Sequence, residues 1–125
     1  MTKSVNKAIG SYRSFYGSFG YAFKGIKHVF KNERNFRLHI LSSVMVLFLA
    51  FYFKCDLIEF ALLIISMTMV FVAEIINSTI EYTWNKLEPN HHPVVAVIKD
   101  SMAGAVLISA ISALMIGIIV ILRHL

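Results

Sequence analysis

The stretch SMAGAVLISAISALMIGIIVIL, residues 101–122, decides the fold, because it runs for 22 residues without a charged side chain. A helix needs about 20 consecutive apolar residues to cross a bilayer, so this stretch predicts a membrane span. Two shorter apolar stretches, residues 38–53 and 57–73, precede it and are separated only by residues 54–56. Either could be a buried helix of a soluble protein if it stood alone. Beside the third stretch, they indicate a tight transmembrane hairpin.

The composition supports the same interpretation. Hydrophobic residues make up 58% of the 125 residues and charged residues 15%, which is too apolar for an ordinary soluble domain and short enough for a single domain. Cys55 is the only cysteine, so an internal disulfide is excluded, and no cleavable signal peptide is recognisable. We predict one all-α integral membrane domain over residues 1–125, with transmembrane helices at about 36–53, 57–81 and 100–122.

Residues 9–31 predict an N-terminal amphipathic helix that precedes the spans. Aromatic and aliphatic side chains recur there every three or four residues, while Lys24, Lys27 and Lys31 line another face. A basic, aromatic-rich helix of this kind lies on the membrane surface, among the lipid headgroups. No nucleic-acid partner is expected, because the basic face adjoins a span and meets anionic lipid first. Alternatively, the helix serves only to anchor the chain.

The basic residues are distributed unevenly, and this predicts the orientation. Eight of the twelve lysines and arginines precede residue 38, and Lys86 and Lys99 follow the second span. By the positive-inside rule, the N-terminus and a loop over residues 84–99 lie in the cytoplasm. We therefore expect a multi-pass membrane protein with a cytoplasmic N-terminus.

A stripe of small side chains runs along the third span at intervals of four residues. Its members are Ser101, Ala105, Ser109, Ala113 and Gly117. Small residues allow helices to approach closely in lipid, so this face is expected to pack against another helix. Because three spans make a thin bundle, we expect a homo-oligomer.

The stretch AEIINSTIE, residues 73–81, carries polar groups to the end of the second span. A charged side chain at membrane depth is costly, so Glu74 marks a candidate functional site. On an α-helix Asn77 lies about 300° from Glu74 and Glu81 about 700°, so the three share one face. Glu74 and Glu81 are about 10 Å apart along the axis, which is too far for a shared-proton pair. Glu74, nearer the lipid, suits a general base, and Glu81, nearer water, suits Mg²⁺ binding.

Further polar residues are expected on the same cytoplasmic side. Glu33 precedes the first span and is a candidate second Mg²⁺ ligand. Lys99 could meet a phosphate group, and Asp100 could cap the third span. Taken singly, Glu74 and Asn77 could equally be hydrogen-bond partners between helices. No Walker A motif is present, so any ATP binding requires an unusual nucleotide site.

Three motifs together resemble the prokaryotic diacylglycerol kinase / undecaprenol kinase family. They are GYAFKGIKHVFKNERNFRLH (residues 20–39), AEIINSTIE (73–81) and HHPVVAVIKDSMAGAVLISAI (91–111). The resemblance covers most of the chain, and the order of the last two motifs is highly specific. It implies a homotrimeric membrane kinase with a surface helix and three spans, which transfers the γ-phosphoryl group of ATP to a lipid alcohol.

The resemblance also implies roles for particular residues. Glu74 matches the family's catalytic base, and Asn77 and Arg37 match positions at the lipid substrate. Glu33 and Glu81 match carboxylates that coordinate Mg²⁺ beside ATP. The other nucleotide-contacting positions are Tyr21, His92, Lys99 and Asp100.

The chain departs from the family pattern at two positions. Asn85 and His91 stand where the family usually has Asp and Tyr, and these departures bear on nucleotide affinity or preference. The base and the metal ligands match, so an active kinase is expected.

Several alternatives remain at the level of sequence. The motif ERNFRLH (residues 33–39) is similar to the undecaprenol-preferring branch, so undecaprenol is the expected substrate and diacylglycerol the alternative. A small proton-coupled exporter would use Glu74 but leave Glu33 and Glu81 unexplained. A membrane scaffold would need none of the three. ATP dependence separates the kinase from both.

Overall fold

The chain forms four helices in a computed structural model that describes residues 15–125. They are α1 (Phe15–Asn32), α2 (Arg34–Tyr52), α3 (Leu57–Leu87) and α4 (Pro93–Leu122). No strand occurs in this part of the chain. The last three helices are long and apolar enough to cross a membrane, which confirms the predicted all-α membrane architecture. The structure divides into a unit that ends at Asn32 and a second unit over Glu33–Leu125.

Helix α1 belongs to the first unit. It forms within the predicted range, whose first part, residues 9–14, lies outside the described residues. Its large apolar side chains are exposed, among them Phe15, Tyr16, Phe19 and Phe23. The ammonium of Lys24 lies 5.5 Å from the centroid of the Tyr21 ring, so basic and aromatic groups meet on this helix as they do in headgroup-binding helices.

The α2–α3 hairpin is closed by a short connector and a capping box. Lys54 adopts the left-handed conformation (φ 53°) that turns the chain. At the start of α3, Asp56 Oδ1 accepts a 2.9 Å hydrogen bond from the Glu59 N–H. Glu59 Oε2 in turn accepts a 2.8 Å bond from the Asp56 N–H. These reciprocal bonds satisfy amides that would otherwise be unpaired at a helix start.

Helices α3 and α4 extend well beyond the apolar stretches that predicted them. Helix α3 continues to Leu87 and α4 begins at Pro93, so the loop expected over residues 84–99 is wrong. Proline at the first helical position is pre-organised for a helix start, and His92 Nδ1 caps it by accepting a 3.2 Å bond from the Val94 N–H. Asp100 therefore lies inside α4, and its expected capping role is also wrong. Hydropathy marks the lipid boundary, whereas polar residues continue a helix into water.

Within the second unit, α3 packs against both neighbours and most extensively against α4. The core is small and consists of Ala50, Leu63, Met67 and Val120. Many large apolar side chains elsewhere on these helices are exposed, including Phe48, Ile65 and Leu107. In a membrane protein such side chains contact lipid. Their exposure is therefore expected for helices that span the membrane.

Candidate active site

The beginning of α2 packs against the middle of α3. Phe36 is buried and its ring meets that of Phe71 on α3 edge-on, with centroids 5.8 Å apart. Glu33 and His39 lie three residues before and after Phe36, so they belong to the same face. The aromatic contact therefore brings the first turns of α2 alongside Glu74, which follows Phe71 by one turn.

Glu74 lies at the meeting point of the two helices, with only 2% of its surface exposed. His39, Glu33 and Glu81 are the titratable groups within electrostatic range of its carboxyl group. Glu33 precedes α2, and its side chain makes no capping hydrogen bond there, so its carboxylate is available to face α3. The structure thus brings together three acids that the sequence predicted as base and metal ligands.

The polar groups of α3 become progressively more exposed toward the end of the helix. Glu74 is buried, Asn77 is half-buried and Glu81 is exposed. Ser78, one turn after Glu74, is buried, and its Oγ has no hydrogen-bond partner among the described residues. A buried hydroxyl is costly to leave unpaired, so Ser78 Oγ is available for a hydrogen bond with a polar substrate or water.

His39 and Ser78 were not predicted as site residues from the sequence. Ser78 falls within the quoted motif, and its spacing of four residues from Glu74 was the available signal. His39 had no such signal, because its relevance depends on the packing of α2 against α3.

A polar cleft lies where α3 ends and α4 begins. Its volume is about 690 Å³, including its open mouth. The lining residues are Asn85, Glu88, Pro89, Asn90, His91, His92, Val95, Ala96, Lys99 and Asp100. The Lys99 ammonium donates a hydrogen bond to Asn85 Oδ1. An amide does not neutralise an ammonium, so Lys99 keeps its charge for an anionic ligand.

Five predicted residues lie outside the acid cluster around Glu74. His92, Lys99 and Asp100 line the polar cleft, which is one turn beyond Glu81 along α3. Arg37 is exposed on α2. Tyr21 lies on α1, in the first unit, with 40% of its surface exposed.

An apolar groove runs from His39 toward the middle of the three spans. It encloses about 630 Å³ and is lined by Val46, Leu63, Met67, Val70 and Leu114, with Ser42, Ser43 and Ser66 among them. Apolar walls with a few polar groups are typical of small-molecule sites. Because His39 acts on Glu74 and also lines this groove, the groove adjoins the acid cluster.

The three carboxylates can be tested against Mg²⁺ by their chemistry. They are hard oxygen donors, which Mg²⁺ prefers. Among the described residues they do not form a close set of three metal ligands. Mg²⁺ commonly uses one or two carboxylates, with phosphate oxygens and water completing the shell. Glu33 and Glu81 therefore fit a metal that arrives with a nucleotide.

Known proteins resemble this chain over most of its length. The family model for prokaryotic diacylglycerol kinase matches residues 20–121. The undecaprenol kinase of Bacillus subtilis is 32% identical over 111 residues, covering 89% of this chain and 90% of that protein. The diacylglycerol kinase of Escherichia coli is 31% identical over 105 residues, covering 84% and 86%. A diacylglycerol kinase of Synechocystis is 33% identical over 101 residues, covering 80% of this chain and 58% of that protein.

The range matched by the family model contains the acid cluster, the polar cleft and nearly all of the three spans. Both activities that the relatives' names describe are phosphorylations of lipids, which an exporter or a scaffold does not perform. The chain belongs to the prokaryotic diacylglycerol kinase family and is a membrane-bound lipid kinase.

Proposed function

We propose that this kinase transfers the γ-phosphoryl group of ATP to the hydroxyl of undecaprenol, at the cytoplasmic interface of the bacterial inner membrane. The observation that carries the proposal is the buried carboxylate of Glu74, on which the charges of Glu33 and Glu81 act. A site for phosphoryl transfer needs a group to accept a proton and groups to manage phosphate charge. This arrangement supplies both on one helix face.

Glu74 is the proposed general base. As the lipid hydroxyl oxygen forms its bond to the γ-phosphorus, the bond between that phosphorus and the β,γ-bridging oxygen breaks. The hydroxyl proton passes to the Glu74 carboxylate, and ADP leaves. A general base in position contributes about 10²- to 10⁴-fold to the rate. Asn77 and Ser78, within one turn of Glu74, offer polar groups that hold the lipid hydroxyl in line.

Glu33 and Glu81 are the residues that would hold Mg²⁺. When bound with ATP, this ion neutralises the charge on the phosphate oxygens. Glu33 precedes α2 and Glu81 lies on α3, and the contact of Phe36 with Phe71 joins these two helices. The task of Glu33 and Glu81 is to hold the nucleotide complex near the lipid boundary.

The polar cleft is the proposed nucleotide site. Lys99 retains its positive charge beside Asn85, and it would bind phosphate oxygens. His92, Asp100 and Tyr21 are proposed nucleotide contacts on the strength of the family resemblance. Because Glu81 precedes Asn85 by one turn on α3, a nucleotide in the cleft can direct its phosphates toward Glu74.

The apolar groove is the proposed place for the lipid chain next to its reacting hydroxyl. The motif ERNFRLH (residues 33–39), at the start of α2, is the basis for preferring undecaprenol, with Arg37 at the lipid. The relatives' names include both substrates, so diacylglycerol is the second candidate. Among the described residues, neither the polar cleft nor the apolar groove has a feature that would favour undecaprenol over diacylglycerol.

We further propose a homotrimer with a cytoplasmic N-terminus. The small core of a single copy and the stripe of small side chains on α4 support association with other copies. The excess of basic residues before the first span supports the orientation. Native mass spectrometry from detergent is expected to give the mass of three chains, and a monomer at the lowest detergent concentration would contradict the trimer.

The decisive experiment supplies radiolabelled ATP to purified protein in mixed micelles containing undecaprenol or a diacylglycerol. Label is expected in undecaprenol with the wild type, with the rate lowered about 10²-fold or more in Glu74→Gln. Glu59→Gln is the matched control, because it removes an equally buried carboxylate from the same helix. Full activity in Glu74→Gln would overturn the assigned base. Preferential labelling of diacylglycerol would replace the proposed substrate.

A further inference from the structure

A second polar cluster lies at the opposite end of the bundle. It consists of Cys55 in the connector, Glu59 in the first turn of α3 and His124 after α4. Their sulfur, oxygen and nitrogen atoms all lie within 4.8 Å of one another. Glu59 and Glu74 are fifteen residues apart on α3, or about 22 Å along the axis. The cluster centred on Glu59 is therefore remote from the acid cluster around Glu74.

Local structure holds each member of this cluster in place. The capping box with Asp56 orients the Glu59 carboxylate. Cys55 follows the left-handed Lys54 and donates its N–H to the Ala50 carbonyl at 3.0 Å. The His124 N–H donates to the Ile121 carbonyl at 3.0 Å. The connector with the first turn of α3 and the residues after α4 thus bring three side chains to one point.

Glu59 is the centre of the cluster and is only 2% exposed. Its Oε2 lies 2.8 Å from His124 Nε2. Its Oε1 lies 2.8 Å from the Arg123 guanidinium, but among the described residues it receives no hydrogen bond of good geometry. The Arg123 side chain is 64% exposed, so this ion pair can open into solvent without disturbing the fold.

We propose that Cys55, Glu59 and His124 form a Zn²⁺ site. Thiolate, imidazole and carboxylate are the three ligand types that zinc takes in proteins, and a water can complete a tetrahedron. Ligand atoms of a tetrahedral zinc site lie about 3.3–3.8 Å apart. Glu59 Oε2 and His124 Nε2, now 2.8 Å apart, therefore separate slightly, while any ligand atoms near the 4.8 Å limit move closer together. Two of the three ligands lie in short non-helical segments that can make this movement.

Zn²⁺ binding requires the Cys55 thiol to lose its proton and Glu59 to leave its ion pair with Arg123. Burial raises the pKa of the Cys55 thiol, and the nearby Glu59 and Asp56 carboxylates raise it further. Zn²⁺ binds a cysteine as its thiolate, so the thiol proton leaves to solvent when the metal enters and affinity rises with pH. Arg123 releases Glu59 as the metal enters.

An ion-paired clasp without metal is the competing explanation. It accounts for Arg123 and His124 beside Glu59, since a buried carboxylate needs partners. In that explanation the Cys55 thiol makes only a hydrogen bond to Glu59, and a thiol is a weak donor. Cys55 is half-buried against the core residues Ala50, Leu63, Met67 and Val120. An apolar shell of this kind limits access of water to a metal.

The test uses Co²⁺ as a spectroscopic substitute for Zn²⁺ on the full-length protein in detergent. Cys55 is the only cysteine, so a thiolate-to-cobalt charge-transfer band identifies this site without reference to enzyme activity. We expect one Co²⁺ per chain, with a band that Zn²⁺ abolishes by competition. Cys55→Ser is expected to lose the band, and His124→Asn to weaken Co²⁺ binding about tenfold or more.

The matched control is His91→Ala, which removes a histidine at the other end of the bundle. It is expected to leave both the band and the affinity unchanged. A wild type without the band at saturating Co²⁺ would overturn the site and leave the metal-free clasp. Unchanged affinity in His124→Asn would also overturn it, and this variant serves if Cys55→Ser does not fold.

Discussion

At the scale of single residues, the site depends on where each carboxylate lies along α3. Glu74, the proposed base, is buried, whereas Glu81, the proposed metal ligand, is exposed to water. One turn of helix carries a side chain about 5.4 Å along the axis. A single helix that emerges from the membrane therefore provides environments for two different tasks.

Lys99 is expected to act on ATP through its charge. In Lys99→Met we expect the KM for ATP to rise about tenfold to a hundredfold, because a hydrogen bond to a charged group contributes about 1.5–3 kcal/mol. Steady-state kinetics in mixed micelles measures this. Lys86→Met is the matched control, because the Lys86 ammonium lies beside the Tyr82 ring and outside the cleft. An unchanged KM in Lys99→Met would exclude Lys99 from the nucleotide site.

Glu33 is expected to act through the metal. In Glu33→Gln we expect the Mg²⁺ concentration for half-maximal activity to rise about tenfold, because a neutral amide is a weaker ligand than a carboxylate. A Mg²⁺ titration at saturating ATP and lipid measures the change. Arg34→Gln changes the charge of the adjacent residue and is expected to leave the Mg²⁺ requirement unaltered. If Glu33→Gln lowered activity equally at every Mg²⁺ concentration, Glu33 would not be a metal ligand.

At the scale of elements, helix starts and ends depend on capping rather than on hydropathy. Helix α4 begins at Pro93 with a His92 cap, and α3 begins at Leu57 with the Asp56–Glu59 capping box. Neither start is set by membrane burial, because polar and small residues continue a helix outside lipid. The extended ends of α3 and α4 form the polar cleft in place of a long loop.

The capping box at α3 is expected to contribute measurably to stability. Asp56→Ala is expected to lower the free energy of unfolding by about 0.5–2 kcal/mol, because it removes the acceptor for the Glu59 N–H. Unfolding in mixed detergent micelles, followed by circular dichroism, measures the loss. Asp56→Asn is the control, since asparagine caps as well as aspartate. Equal losses in both variants would show that charge, rather than capping, stabilises this end.

At the scale of the whole molecule, two chemically different ends are held apart by a thin apolar bundle. One end carries Glu33, Glu74 and the polar cleft, and the other carries the cluster centred on Glu59. Between them the surface is largely apolar and exposed, as a lipid-facing surface must be. The orientation of the chain in the membrane then decides which end meets ATP.

The orientation can be tested with single cysteines in a Cys55→Ser background. Lys54→Cys lies at the connector end, and Asn90→Cys lies between α3 and α4. In intact cells a membrane-impermeant maleimide is expected to label Lys54→Cys, whereas Asn90→Cys should react only after lysis, because the positive-inside rule keeps the basic end in the cytoplasm. The opposite pattern would place the polar cleft outside the cell and exclude cytoplasmic ATP from it.

The sequence by itself determined the spans and the helix face that carries Glu74, Asn77 and Glu81. A long uncharged stretch predicts a membrane span, and the spacing of residues along a helix predicts which of them share a face. Both properties are local to one segment of the sequence. The ends of α3 and α4 were misplaced, since hydropathy does not register capping.

Only the tertiary structure decided which distant residues meet. The packing of Phe36 on Phe71 brings Glu33 and His39 beside Glu74, and the return of α4 along α3 brings His124 to Glu59, 65 residues away in the chain. Such contacts depend on how helices pack side by side, and the periodicity of a single segment carries no record of that packing.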